Sequence, residues 1–166
     1  MDSNSTYYSC KEIRNLFNIH RSNKVTTCSF TNDENYIISK LDNYDGNFEK
    51  LIEDVKNFQN NVIKLHKEGK APKACQNCSM FVKKNWIDKA NDKFTSLVLN
   101  HYKTCNLKCK HCYHLKHHDT EKDSDNKLVL ELIKTLVRKN SISDDFYINL
   151  CGGEPSINKF IDEEIN

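Results

Sequence analysis

Glycine and proline are scarce in this chain, four and two of 166 residues, and tryptophan occurs once. That scarcity excludes collagen-like and Gly/Pro-rich linker sequence, and no segment is low enough in complexity to be called disordered. No apolar run approaches the roughly 20 residues of a membrane helix. The N-terminus, MDSNSTYY, lacks the basic-then-apolar pattern of a signal peptide. An excess of one charge is also missing: 25 Lys and Arg face 23 Asp and Glu, a formal net charge of +2. Such a balance creates no global field that would recruit nucleic acid or an acidic membrane surface. The expectation is a cytoplasmic protein with no nucleic-acid or membrane partner. Hydrophobic residues make up 37%, so the core should be thin, and the length suits one domain or two small ones.

Cysteine is what the chain has in plenty: Cys10, Cys28, Cys75, Cys78, Cys105, Cys109, Cys112 and Cys151. In a reducing compartment stable disulfides are disfavoured and metal binding is the better default. One cysteine alone is readily a small buried hydrophobe, and Cys151 is most simply read so, as a strand residue. Two close clusters, Cys75-x2-Cys78 and Cys105-x3-Cys109-x2-Cys112, ask for more.

The pattern around them is partly legible. Phe48, Leu51, Ile52, Val55, Phe58, Val62 and Leu65 fall on one stripe at helical spacing. They predict a helix from Asn47 to about Lys70, ended by Gly69 and Pro72, with the stripe as core packing. FTSLVLN, from Phe94 to Asn100, reads as a strand buried on both faces, as in a parallel sheet. The three-cysteine loop follows. Leu128, Val129, Leu132, Ile133, Leu136 and Val137 then predict an amphipathic helix with caps among Ser124 to Asn126. FYINL, from Phe146 to Leu150, predicts a second strand, ending in CGGEP, after which Ser156 is a candidate cap. Strand, helix, strand makes a βαβ unit with parallel strands and a right-handed crossover. Two parallel strands do not complete a buried sheet, so the expectation is the front part of a larger α/β domain.

Three thiolates are one short of a closed tetrahedral site. A [4Fe-4S] cube held by three cysteines keeps one iron open to a small molecule. Lys103, Lys108 and Lys110 interleave with the thiols and would moderate a cluster's negative charge, although solvent-exposed loop charge explains them equally well.

A C-x3-C-x2-C loop after one strand, followed by a second strand ending in Gly152-Gly153-Glu154-Pro155, resembles the radical S-adenosylmethionine (radical SAM) superfamily over about Phe94 to Asn166. The pairing of the two motifs makes the resemblance specific. It implies the start of a partial (β/α) TIM-type barrel across 94–166, beginning with this first βαβ unit. It implies that Cys105, Cys109 and Cys112 ligate three irons and that the fourth binds S-adenosylmethionine. Gly152, Gly153 and Glu154 would hold the methionine amino group, with glycine allowing close approach to the ligand. The residue before the third cysteine is often aromatic in this family; here it is His111, a flat ring able to lie on the adenine, with Tyr113 beyond it. The activity implied is reductive cleavage of the cofactor to a 5′-deoxyadenosyl radical that takes hydrogen from a substrate. Peptides, alcohols and amines are the substrate classes suggested by analogy, and flavodoxin or ferredoxin the type of electron donor.

Segment 1–93 is expected to be a small, mostly helical cysteine-containing region. Its order of Cys10, Cys28, a helix and a closing Cys75-x2-Cys78 resembles the twitch or SPASM-like auxiliary-cluster regions of some radical enzymes. That implies a second iron–sulfur cluster; a structural zinc site or free thiols are the alternatives. A different class of reading also stands: a zinc-binding interaction module pairing Cys75 and Cys78 with Cys109 and Cys112, about thirty residues apart, longer than usual spacing. It leaves Cys105 idle and gives GGEP no task. A non-catalytic fragment is a third reading, since the family core continues through further strands. His114, His117 and His118 lack regular spacing and read as a solvated loop.

Overall fold

The computed structural model describes residues 6–30, 34–86, 93–112 and 122–159. It is a mixed α/β fold. The strands and α-helices among the described residues are β1 (Thr6–Ser9), α1 (Lys11–Asn15), β2 (Leu16–His20), β3 (Lys24–Thr26), β4 (Ser39–Lys40), α2 (Phe48–Lys67), α3 (Lys73–Gln76), β5 (Val82–Asn85), β6 (Phe94–Tyr102), α4 (Asn126–Arg138) and β7 (Ile142–Gly152). β1 and β5 form a two-stranded antiparallel ribbon. The other five strands make one mixed sheet in the order β4-β3-β2-β6-β7.

The βαβ unit predicted from sequence is present: β6 and β7 are parallel, with α4 between them. β6 runs two residues beyond Asn100, to Tyr102. β7 begins four residues before Phe146. What periodicity did not reveal is a third parallel strand. β2 pairs with the other edge of β6, Phe17 opposite Leu97 and Ile19 opposite Leu99. The expected division at residues 93 and 94 therefore falls within one continuous sheet, and the first segment contributes five strands beside its helices. β2 escaped notice because LFNIH is short and its central polar residue, Asn18, breaks the apolar run although it is fully buried.

β2 and β3 form a hairpin whose turn places Ser22 and Asn23 at positive φ (56° and 59°), the two-residue geometry that matches strand twist. α2 starts where the side chain of Asn47 accepts the N–H of Lys50, and ends ahead of Gly69, which takes φ +70°. α4 is capped by Asp125, whose carboxylate accepts the N–H of Lys127. The pattern after β7 inverts the expected cap. Ser156 lies inside a single 3-10 turn, and it is Glu154 whose side chain accepts the Ser156 N–H.

The core lies between the sheet and the two long helices. Phe17, Ile19, Leu97 and Leu99 from the sheet meet Phe48, Leu51 and Val55 of α2 and Val129, Leu132 and Leu136 of α4. Phe17 and Phe94 meet edge to face at 5.2 Å. Gln59 of α2 is buried and donates to the Leu16 carbonyl at 3.0 Å, fixing the helix to the start of β2. A smaller cluster of Cys10, Ile13 and Val62 continues beneath the far end of α2. Among the described residues no helix is long and apolar enough to cross a membrane.

His66, near the end of α2, is buried against Phe81 at 4.8 Å, and neither ring nitrogen has a hydrogen-bond partner among the described residues. Burial, helped by the Arg14 guanidinium, lowers its pKa from 6.5 to about 4. The folded state thus binds this proton more weakly than the unfolded chain. Its neutral ring contributes full stability above about pH 6.5, and that contribution is lost as pH falls toward 4. Urea unfolding of His66→Leu should lose less stability than the parent between those pH values, by roughly 2 kcal/mol. Equal slopes in the two proteins would refute this.

Candidate functional site

Two groups of cysteines lie toward opposite ends of the parallel strands. Cys105, Cys109 and Cys112 sit in the irregular loop that leaves the C-terminal end of β6. Cys105 and Cys109 are exposed and Cys112 is half-buried. The N–H of Leu107 points to the Cys105 sulfur at 3.4 Å, and the N–H of Cys112 bonds the Cys109 carbonyl at 3.2 Å. These contacts curl the loop on itself. His111 is exposed in the same turn. Tyr113, His114, His117 and His118 lie outside the described residues.

The GGE segment reaches this loop directly. Gly153 donates its N–H to the Tyr102 carbonyl at 2.8 Å, and Glu154 donates to the Thr104 carbonyl at 2.9 Å. The parallel ladder of β6 and β7 is thus extended past the strands into the start of the cysteine loop. This contact gives the two glycines a physical reason that differs from close approach to a ligand. A Cβ on Gly152, which has φ +114°, would stand 2.1 Å from the Tyr102 oxygen. One on Gly153 would stand 2.1 Å from the Thr104 oxygen. Backbone meets backbone there, and no side chain fits.

Glu154 is the charged group of this turn. The Ser156 hydroxyl, at 2.7 Å, and then the Ser156 N–H, at 3.2 Å, hold its carboxyl below the usual range. It is therefore an anion at neutral pH. On the far side of the loop start, Asp123 accepts the Lys103 N–H at 2.7 Å. Nothing in the pattern pointed to Asp123, because it is one of several acids in a polar stretch.

The other four cysteines come together from distant positions. Cys10, Cys28, Cys75 and Cys78 line one cavity of about 360 Å³, walled by Ile13, Phe30, Tyr36, Met80 and Phe81. That is about twelve times the ~30 Å³ share of one water. Cys10 precedes α1, Cys28 follows the β2–β3 hairpin, and Cys75 and Cys78 flank the end of α3. Burial raises the thiol pKa of Cys10 and Cys75 and takes that of Cys28 to about 11. The thiols are also near enough for a charge on one to disfavour a charge on another. The Tyr36 hydroxyl lies 3.0 Å from the Cys75 sulfur, and the Phe30 N–H donates to the Cys28 sulfur at 3.4 Å. Both are the kind of hydrogen bond that stabilises a thiolate ligand.

Among the described residues, no three His, Cys, Asp or Glu side chains converge closely enough to hold a single metal ion. The four thiols surround a space; they do not meet at a point. Cys75 and Cys78 share that space with Cys10 and Cys28, so the structure does not bring them to Cys109 and Cys112. Cys151 stands apart near the end of β7, half-buried, its thiol pKa raised by burial.

Comparison with known proteins gives no match to any family model, curated protein or solved structure.

Gly153→Ala should destabilise the chain by about 3 kcal/mol in urea unfolding, because its Cβ collides with main chain that cannot step aside. Gly69→Ala, at φ +70° with open space around it, should cost only about 1 kcal/mol. A smaller loss at Gly153 than at Gly69 would contradict the packed backbone described.

Proposed function

We propose that this chain is the cofactor-binding part of a radical S-adenosylmethionine enzyme, with a second iron–sulfur cluster in the four-thiol cavity. The observation that carries the reading is the pair of hydrogen bonds from Gly153 and Glu154 to Tyr102 and Thr104. The two motifs follow neighbouring parallel strands, the cysteine loop after β6 and the Gly152–Glu154 turn at the end of β7, and they meet where the loop begins at Lys103 and Thr104. The partial barrel that the family implies is compatible with β2, β6 and β7 as three adjacent parallel strands.

The residues suit the groups they would hold. Cys105, Cys109 and Cys112 offer three thiolates and leave one corner of a cube open. The N–H groups of Gly153 and Glu154 are spent on the loop, so their turn has carbonyls and the Glu154 carboxylate to offer. Acceptors and an anion suit an ammonium group, as on the methionine portion of the cofactor. A cluster held by Cys105, Cys109 and Cys112 would supply the single electron needed for reductive cleavage of S-adenosylmethionine to methionine and a 5′-deoxyadenosyl radical. His111 is exposed on the same loop, and its flat ring would lie against the adenine. The other four thiols, Cys10, Cys28, Cys75 and Cys78, would hold a second cluster with a protein ligand at each corner. An electron donor of the flavodoxin or ferredoxin type and a peptide, alcohol or amine substrate complete the proposal by analogy.

Iron, sulfide and zinc per chain after anaerobic reconstitution test it. The parent should hold about eight irons, and Cys105/Cys109/Cys112→Ala and Cys75/Cys78→Ala about four each. About four irons in the parent and none in the loop variant would remove the second cluster. Zinc without sulfide in all three proteins would overturn the enzyme reading.

A further inference from the structure

The start of the three-cysteine loop is gripped from two sides. On one side stand the Gly153 and Glu154 amides already described. On the other, the Asp123 carboxylate accepts the Lys103 N–H at 2.7 Å, with the Thr104 hydroxyl 3.5 Å from its second oxygen. Lys103 and Thr104 are the two residues immediately before Cys105.

The residues flanking Asp123 are held by the first half of the chain. The Ser22 N–H donates to the Lys122 carbonyl at 2.9 Å, and the Lys122 N–H to the Ser22 hydroxyl at 3.3 Å. The Asn23 N–H donates to the Ser124 hydroxyl at 2.9 Å, which donates in turn to the His20 carbonyl at 2.7 Å. The Asp125 N–H reaches the Asn23 side chain at 2.8 Å. A further bond joins the Ser124 N–H to the His101 carbonyl of β6 at 2.9 Å. Ser124 is buried, and Ser22 and Asn23 keep positive φ in the turn that makes these contacts. Capping α4 needs only Asp125, so this density of bonds around Lys122–Ser124 serves something else.

We propose that Asp123 is a positioning residue, braced by the β2–β3 turn, that sets where Cys105 stands relative to the Gly152–Glu154 turn and so tunes S-adenosylmethionine binding. This rests on the radical SAM reading for its ligand and on the geometry alone for its mechanics. A cluster site built from one loop and a ligand turn built from another bind one molecule well only if the spacing between them is fixed. A carboxylate bonded to main chain at the loop's first residue fixes it more stiffly than a neutral acceptor would.

The experiment uses the full reconstituted chain with Asp123→Ala and Asp123→Asn. Removal of the carboxylate should raise the S-adenosylmethionine Kd about tenfold and leave the iron of the four-thiol site intact; Asn, which keeps one acceptor, should recover most of the affinity. Selective loss of iron from the three-thiol loop in Asp123→Ala would support the same role. Amide hydrogen exchange reads the mechanics without the ligand: Lys103, Gly153 and Glu154 should exchange at least tenfold faster in Asp123→Ala, with α2 unchanged. Parent-like exchange at those three amides overturns the proposal, as does parallel loss of iron from both sites, which marks general unfolding. If the parent binds no S-adenosylmethionine, the functional reading fails, and the exchange rates still decide whether Asp123 holds the loop.

Discussion

Everything in this fold hangs on β6 being hydrogen-bonded along both edges. β2 lies parallel on one side and β7 parallel on the other, and the side chains of β6 are buried or half-buried throughout. A strand so enclosed cannot shift register without turning Leu97 and Leu99 out of the core. Its C-terminal end is therefore a fixed point, and the loop that departs from Tyr102 departs from a rigid platform. The proposed site, which would hold a cluster and a small ligand at one spacing, needs such a platform.

The second consequence is a division of labour between the two ends of the sheet. The exposed three-thiol loop adjoins acceptors and an anion, an arrangement suited to exchange of a small cationic ligand. The other four thiols, Cys10 buried and the rest half-buried, line a mostly apolar cavity with a tyrosine and a backbone amide on two of the sulfurs. Burial raises the thiol pKa of Cys10, Cys28 and Cys75, so binding of the proposed metal there would be coupled to their deprotonation. The β2–β3 hairpin connects the two ends. Cys28 follows it on one side, and its turn braces the approach to the cysteine loop on the other.

Where a long period carried the signal, the sequence was readable. α2, α4, β6 and β7 announce themselves by stripes and apolar runs, and the motifs fell on a loop and a strand end as expected. Short elements did not. β2 has five residues with a buried asparagine at its centre, β4 has two, and β1 and β5 are largely exposed. Such strands exist because partners far along the chain pair with them, and local pattern does not contain that fact. The same holds within the sites. Close spacing marked five of the candidate ligands and the family resemblance added Cys10 and Cys28, yet only the fold could show that these two line the space shared with Cys75 and Cys78. Tyr36 and Asp123 act through contacts with residues far along the chain, and nothing in their sequence neighbours marks them. The glycines of GGE were expected to allow close approach to a ligand; the structure shows instead that the carbonyl oxygens of Tyr102 and Thr104 leave no room for a Cβ there.

The central claim is that the three-thiol loop and the Gly152–Glu154 turn form one site with an open iron. The most direct measurement is the electron paramagnetic resonance of the reduced, reconstituted Cys75/Cys78→Ala protein, in which only that loop keeps its full set of thiols, recorded with and without S-adenosylmethionine. A [4Fe-4S] signal whose g values shift on adding the ligand is the predicted result. A cluster signal that the ligand leaves unchanged, or no cluster signal at all, would contradict the account.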